Sequence, residues 1–174
     1  SVPIVTVDRF DPDPLIPGVL PDYETGTYEA VKTALSRGYS KPLLISAKAN
    51  HKGKGVGSMV YNGFSRAVQE QGLDRTAGVV PNPVHDKQRA YEITKQVLAK
   101  AGHPDLIVAN DDAAFGVYRA AAELGVGIPD QLAVIGCDGV PLAEYLVPGL
   151  ATVRIDYQVL AREALNRLIA AINH

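Results

Sequence analysis

The feature that most constrains this chain is an alternation. Short runs of apolar, largely β-branched residues recur, and the stretches between them space their apolar residues at helical intervals. The first run is Ile4, Val5, Thr6 and Val7, closed by the polar pair Asp8 and Arg9. Residues 25–37 then carry Ala30, Val31, Ala34 and Leu35 at helical spacing, and Gly38 supplies a left-handed stop. Strand-like runs follow at residues 43–45, 78–80, 106–109, 132–135 and 152–154. Helices are expected near 63–71, 87–101 and 113–124, with a last one over 157–172. Residues 10–21 hold Pro12, Pro14, Pro17, Gly18 and Pro21, too many breakers for a helix, and are read as an ordered connector.

Parallel neighbours need crossover connections, and crossover helices cover both faces of the sheet they join. The expected class is therefore α/β, with a doubly wound parallel sheet. No repeat of fixed period and no low-complexity segment intervenes, so the alternation is sheet architecture and not a solenoid. The 174 residues suffice for one well-buried core but are few for two complete lobes.

Composition narrows the function classes. With 47% hydrophobic and 21% charged residues the chain matches ordinary soluble domains rather than disordered or membrane-embedded ones. No apolar run approaches the ~18 residues of a membrane span, and the opening stretch lacks the pattern of a secretory signal. A formal net charge of -2 gives no long-range attraction for phosphate backbones. The single cysteine, Cys137, can form neither an internal disulfide nor a cysteine-based metal site, which suits a reducing cytoplasm; a processed secreted chain would also satisfy these observations.

In open parallel sheets ligands sit beyond the carboxyl ends of the strands. Polar residues follow strands at four places. Asp8 is able to accept hydrogen bonds from a polyol and Arg9 to clamp a carboxylate or hydroxyls, although such a pair also serves as a turn with a solvated ion pair. The segment HKGKGVGS at 51–58 offers amides, Lys52 and Lys54 to an anion, or is simply a surface loop. It is not a P-loop, because Gly53, Gly55 and Gly57 have the wrong spacing and Met59 follows Ser58. Asn110 both donates and accepts, which suits sugar hydroxyls or a purine edge; the alternative is that Asn110, Asp111 or Asp112 simply caps the following helix, and both readings hold if Asp111 or Asp112 caps it while Asn110 faces the cleft. Asp138 closes LAVIGCD and is read as a hydroxyl acceptor, against the alternative of a turn into Gly139. His51, His85, His103 and His174 show no zinc-pair spacing, no nucleophile elbow occurs, and Met59 and the alanine-rich helix read as core.

These residues resemble the lactose-repressor family of transcription regulators, whose sensing domain is similar to that of periplasmic sugar-binding proteins. The resemblance is carried by PIVTVDR at 3–9, by GF at 63–64 followed by AVQEQG, and by the helix ending at Ile172. Its most specific part is DLIVANDDAAFGVYRAAAELGVGIPDQLAVIGCDGVPLAEYLVPGLATVRIDY at 105–157. It implies a periplasmic-binding-protein-like type I fold, with a nearly complete carboxyl lobe at 22–154 and amino-lobe pieces at 1–21 and 155–174. The DNA-binding headpiece and the remaining amino-lobe strands would lie outside the chain.

Carried over one residue at a time, the resemblance makes Asp8, Asn110 and Asp138 ligand contacts and Tyr157 a cleft aromatic, with Asp156 beside it at a crossover. Arg9 and Lys54 complete the candidate set. One departure stands out: where the family places an arginine three residues before Gly-Phe, this chain has Val60. Losing that fork puts the usual sugar set in doubt, and Lys52 or Lys54 is the candidate replacement, suited to a phosphorylated ligand. The implied function is effector sensing in a cytoplasmic, homodimeric regulator that is not an enzyme and needs no cofactor. The effector would be a sugar, sugar phosphate or nucleoside-like molecule, and operator DNA would be reached only through the headpiece. The alternatives are a sugar-binding protein serving a transporter and, less well supported, a small enzyme.

Overall fold

A computed structural model of the chain describes residues 2–9, 16–46, 55–73, 78–81 and 86–173. In chain order the elements are β1 (Thr6–Val7), β2 (Gly18–Val19), α1 (Tyr23–Ser36), β3 (Pro42–Ser46), α2 (Val56–Glu70), β4 (Val79–Pro81) and α3 (Lys87–Leu98). They continue with β5 (Leu106–Ala109), α4 (Asp111–Leu124), β6 (Ala133–Asp138), a 3-10 helix (Pro141–Tyr145), β7 (Ala151–Arg154) and α5 (Tyr157–Ile172). Five strands form one parallel sheet in the order β4-β3-β5-β6-β7. β1 and β2 form a separate parallel pair.

The doubly wound expectation holds, and alternation along each strand explains it. Leu44, Leu106, Val108, Ala133, Ile135 and Cys137 face α1 and α2, while Leu43, Ile45, Ile107, Ala109 and Val134 face α3 and α4. Strands buried on both faces read as unbroken apolar runs, which is why they were legible in the sequence. Met59 and the alanines of α4 are core contacts as expected.

Several boundaries differ from expectation. α1 starts at Tyr23 because the Asp22 carboxylate accepts from the Thr25 amide at 2.9 Å. α2 starts at Val56, seven residues before the expected Gly63. Buried Val60, Tyr61, Phe64 and Val68 form one continuous stripe, so the last part of the presumed loop at 51–58 is helix. The breaker-rich connector contains β2, which the sequence reading missed, because two residues paired with a neighbour leave no periodicity. β6 runs on to Asp138 because β7 pairs with it over Ile135–Asp138.

α5 returns to β1 and β2, burying Leu160 and Ala164, and Arg167 donates to the Gly18 carbonyl at 2.8 Å. Val19, Ile155, Leu160 and Ala164 belong to the same apolar cluster as α1 and α2, so the small β1–β2–α5 unit is continuous with the core of the large sheet. The outer flank of α5, with Leu165, Ile169 and Ile172, is exposed.

Gly63 allows α2 its close approach to α1: a Cβ there would meet the Glu24 carbonyl and lie 2.9 Å from the Tyr28 amide nitrogen. Both obstacles are helix backbone. Gly63→Ala is therefore expected to destabilise the fold by about 1–3 kcal/mol, the usual cost of overpacking, read as a lower midpoint in urea unfolding with an unchanged slope. An unchanged midpoint would show that the two helices have room to separate.

Candidate functional site

Of the polar residues that the sequence singled out at the carboxyl ends of strands, Asp8 and Asp138 converge on one point. Asp8 follows β1 and Asp138 ends β6. Both adopt positive φ, 53° and 123° respectively, a conformation rare outside glycine. Non-glycine residues held there carry strain of roughly 1–3 kcal/mol and cluster where a side chain must be aimed.

Between them stands a residue that the sequence reading missed. Tyr23 opens α1 with its side chain 2% exposed, and its hydroxyl lies 3.0 Å from Asp8 Oδ1 and 3.3 Å from Asp138 Oδ1. It donates toward both carboxylates with a single hydrogen. Burial, then Asp138, then Asp8 push the phenol's ionisation far above the ordinary tyrosine value, so the hydrogen stays in place at any physiological pH. Tyr157 is half-exposed at the start of α5, and burial, then Asp138, Asp8 and Asp111, raise its phenol above the ordinary value. Asp156 has a local role: its carboxylate accepts from the Gln158 and Val159 amides at 3.0 Å and caps α5.

At β5 the structure decides which residue caps the helix. Asn110, and not Asp111 or Asp112, caps α4, its side-chain oxygen accepting from the Ala113 amide at 3.1 Å. Its backbone is extended there, as an N-cap requires. Asp111 turns inward and is fully buried. Its carboxylate accepts from Thr152 Oγ1 at 2.7 Å and from the Val140 amide at 2.8 Å. Burial raises this carboxyl, and the bonds from Thr152, Val140 and Gly139 oppose the rise. The arrangement ties the start of α4 to the turn after Asp138 and to β7. Gly136 is glycine because a Cβ there would occupy the place of Asp111 Oδ1. That pairing of an Asp after β5 with a Gly inside β6 was the signal available in the sequence. Tyr23 had only the preceding cap, Asp22, to mark it.

Asp112 forms an ion pair with Lys87 at 3.1 Å. Arg9 is exposed at the edge of the cluster. Lys54, with Lys52, falls outside the described residues. Val60 is buried in the core with α1 and α2. Among the described residues no helix is long and apolar enough to cross a membrane.

Residues 31–174 match the model of the periplasmic binding protein-like domain. A lactose operon repressor from Rhizobium radiobacter is 38% identical over 87 residues, covering 49% of this chain and 77% of that protein. A PurR transcriptional repressor from Photobacterium profundum is 27% identical over 173 residues, covering 99% of this chain and 51% of its own length. Among solved structures, a LacI family transcriptional regulator from Enterococcus faecium with bound ribose superposes with a TM-score of 0.84 at 26% identity, covering 98% of this chain and 62% of that one. The chain belongs to the periplasmic binding protein-like domain family, in the branch that LacI-type regulators carry. It spans about half the length of the PurR relative, 51%.

Thr152→Val keeps the shape of the side chain and removes the donor to buried Asp111. The expected loss is about 1–3 kcal/mol of unfolding free energy, the cost of an orphaned buried acceptor, measured by chemical denaturation. Wild-type stability in this variant would mean that the Val140 and Gly139 amides suffice to hold the carboxylate.

Proposed function

We propose that this chain is the ligand-sensing region of a DNA-binding transcription regulator, taking a small polyhydroxylated molecule in a cleft between the β1–β2–α5 unit and the five-stranded sheet. The observation that carries this reading is the convergence of Asp8 and Asp138, from two different sheets, on one point at the carboxyl ends of their strands. Two carboxylates accept hydrogen bonds from vicinal hydroxyls, each such charge-assisted bond contributing about 1.5–3 kcal/mol. Tyr157 offers an aromatic face for the apolar side of a sugar ring. Asn110 stands at the end of the neighbouring strand. The similar regulator with bound ribose supports the ligand class.

In this reading residues 1–21 and 155–174 belong to the amino lobe and 22–154 to the carboxyl lobe. The exposed flank of α5, exposed Val7 of β1 and exposed Ile4 before it are faces that further amino-lobe strands would cover. The relatives are named as transcriptional repressors, which favours a regulator over a transport protein or an enzyme. DNA would be bound by a headpiece elsewhere in the full-length protein, because the chain's net charge of -2 gives it no basic surface for the purpose. The ligand acts through its differential affinity for two arrangements of the lobes. A second copy fits the apolar turn around the 3-10 helix, where Tyr145 is 80% and Val147 94% exposed beside exposed Leu142.

The described walls of the site favour a neutral ligand. Among the described residues Asp8 and Asp138 converge on Tyr23, and buried Asp111 holds the turn that follows Asp138. A phosphate group would meet like charge there.

In a thermal-shift screen of the full-length protein against ribose, glucose, their phosphate esters and nucleosides, a neutral sugar is expected to raise the melting temperature. At a hundred times its Kd the gain is about 2.7 kcal/mol, and Asp138→Ala should abolish it. A phosphate ester that binds more tightly than its parent sugar would overturn the neutral-ligand reading. A folded protein that answers to none of these compounds would count against small-molecule sensing. For the interface, Val147→Asp is expected to shift sedimentation from dimer to monomer, and an unchanged dimer would place the contact elsewhere.

A further inference from the structure

A buried tyrosine hydroxyl generally needs one hydrogen-bond partner. Tyr23 has two carboxylate acceptors, and they come from different units of the molecule. α1, which carries Tyr23, packs on α2, β6 and β7, and its ring is 2% exposed, so the residue is anchored in the large unit together with Asp138. Asp8 belongs to β1–β2, and the 3.0 Å bond from Tyr23 reaches across to it. Tyr23 also directly follows the connection from β2 to α1, through Leu20, Pro21 and Asp22. The second connection, at Ile155 and Asp156, leads from β7 back to α5. The hydroxyl therefore stands where relative motion of the two units is felt.

The hydrogen-bond arithmetic gives this placement a consequence. One O–H donates fully to a single acceptor, and divided between two acceptors it serves each less well. Two carboxylates drawn to the same atom also repel one another. A ligand hydroxyl that donates to Asp138 Oδ1 competes with the tyrosine for that oxygen and shifts the tyrosine hydrogen toward Asp8, and the bond between the units strengthens.

We propose that Tyr23 is a positioning residue of the sensing site, a latch whose hydroxyl holds Asp8 to the large unit and is completed, and so tightened, when a polyol donates to Asp138. The ligand-dependent half of this proposal rests on the function proposed above; the latch itself does not. A side chain absent from the expected contact set thus couples ligand occupancy to the angle between the units. The two carboxylates favour a completing group that donates a hydrogen bond and carries no negative charge.

The test uses the full-length protein with spin labels on cysteines introduced at exposed Asn166 of α5 and exposed Gln96 of α3, one on each unit; native Cys137 is buried and does not compete for label. Interlobe distances are measured by pulsed electron resonance in the parent, in Tyr23→Phe and in Asp8→Asn. Tyr23→Phe keeps the buried ring and removes only the hydroxyl. Asp8→Asn weakens the same bond from the other side, so a folding defect in one variant leaves the other to decide. Without ligand, both variants are expected to give a longer and broader distance distribution than the parent, and the double variant to be no broader than either single one. Distributions that match the parent in both variants overturn the latch, whether or not any sugar binds. Ribose and glucose are then added as probes. A probe that binds the parent should narrow its distribution and fail to narrow that of Tyr23→Phe. Equal narrowing in both would overturn the ligand-completed step. Broadened variants with no response of the parent to either probe would uphold the latch and count against the proposed sugar ligand, which separates the two failures.

Discussion

A parallel sheet covered by helices on both faces has no room for chemistry except at the ends of its strands, and the rest of this molecule follows from that constraint. Alternate residues of β3, β5 and β6 feed two separate apolar layers, one under α1 and α2 and one under α3 and α4. A polar group proposed to meet a ligand is therefore sought where a strand ends. Asp8 and Asn110 directly follow β1 and β5, and Asp138 is the last residue of β6. At the opposite end of β5, Asp105 accepts from the Ser40 and Lys41 amides and acts as a structural tie.

Carboxylates dominate the end that matters, and their environments separate their roles. Asp111 is fully buried, its oxygens held by Thr152 and the Val140 amide, and it fixes the turn that carries Asp138. Asp138 and Asp8 are only partly covered and face a tyrosine hydroxyl from two sides. One carboxylate is thus used to build the site, while the other two remain at its surface. The difference comes from burial: a buried carboxylate needs all its partners inside the protein, whereas a half-exposed one can share them with a ligand.

The two units are joined by more than their connections. Val19, Ile155, Leu160 and Ala164 extend the core of the large sheet into the β1–β2–α5 unit, and Tyr23 adds a directional bond at the polar end of the same junction. Apolar contact is tolerant of small rotations, but a hydrogen bond depends steeply on distance and angle. A junction built from both resists separation while remaining sensitive to what happens at its polar end, which is the physical requirement for the sensing function proposed here.

The sequence by itself determined the class of the fold, because strands buried on both faces must be apolar throughout and the helices between them must carry a one-sided stripe. It also singled out Asp8 and Asp138, since an acidic residue directly after such a run has few other places to go. What it left open depended on contacts distant along the chain. β2 became a strand only by pairing with β1, and α2 reached back to Val56 only because the stripe under it is filled by α1 and the sheet. The cap of α4 fell to Asn110, while Thr152, 41 residues on, supplies the donor that draws Asp111 inward. Tyr23 meets Asp8 and Asp138 across separations of 15 and 115 residues. Periodicity records which face of an element is buried. Which side chains share a hydrogen is decided only when the elements pack.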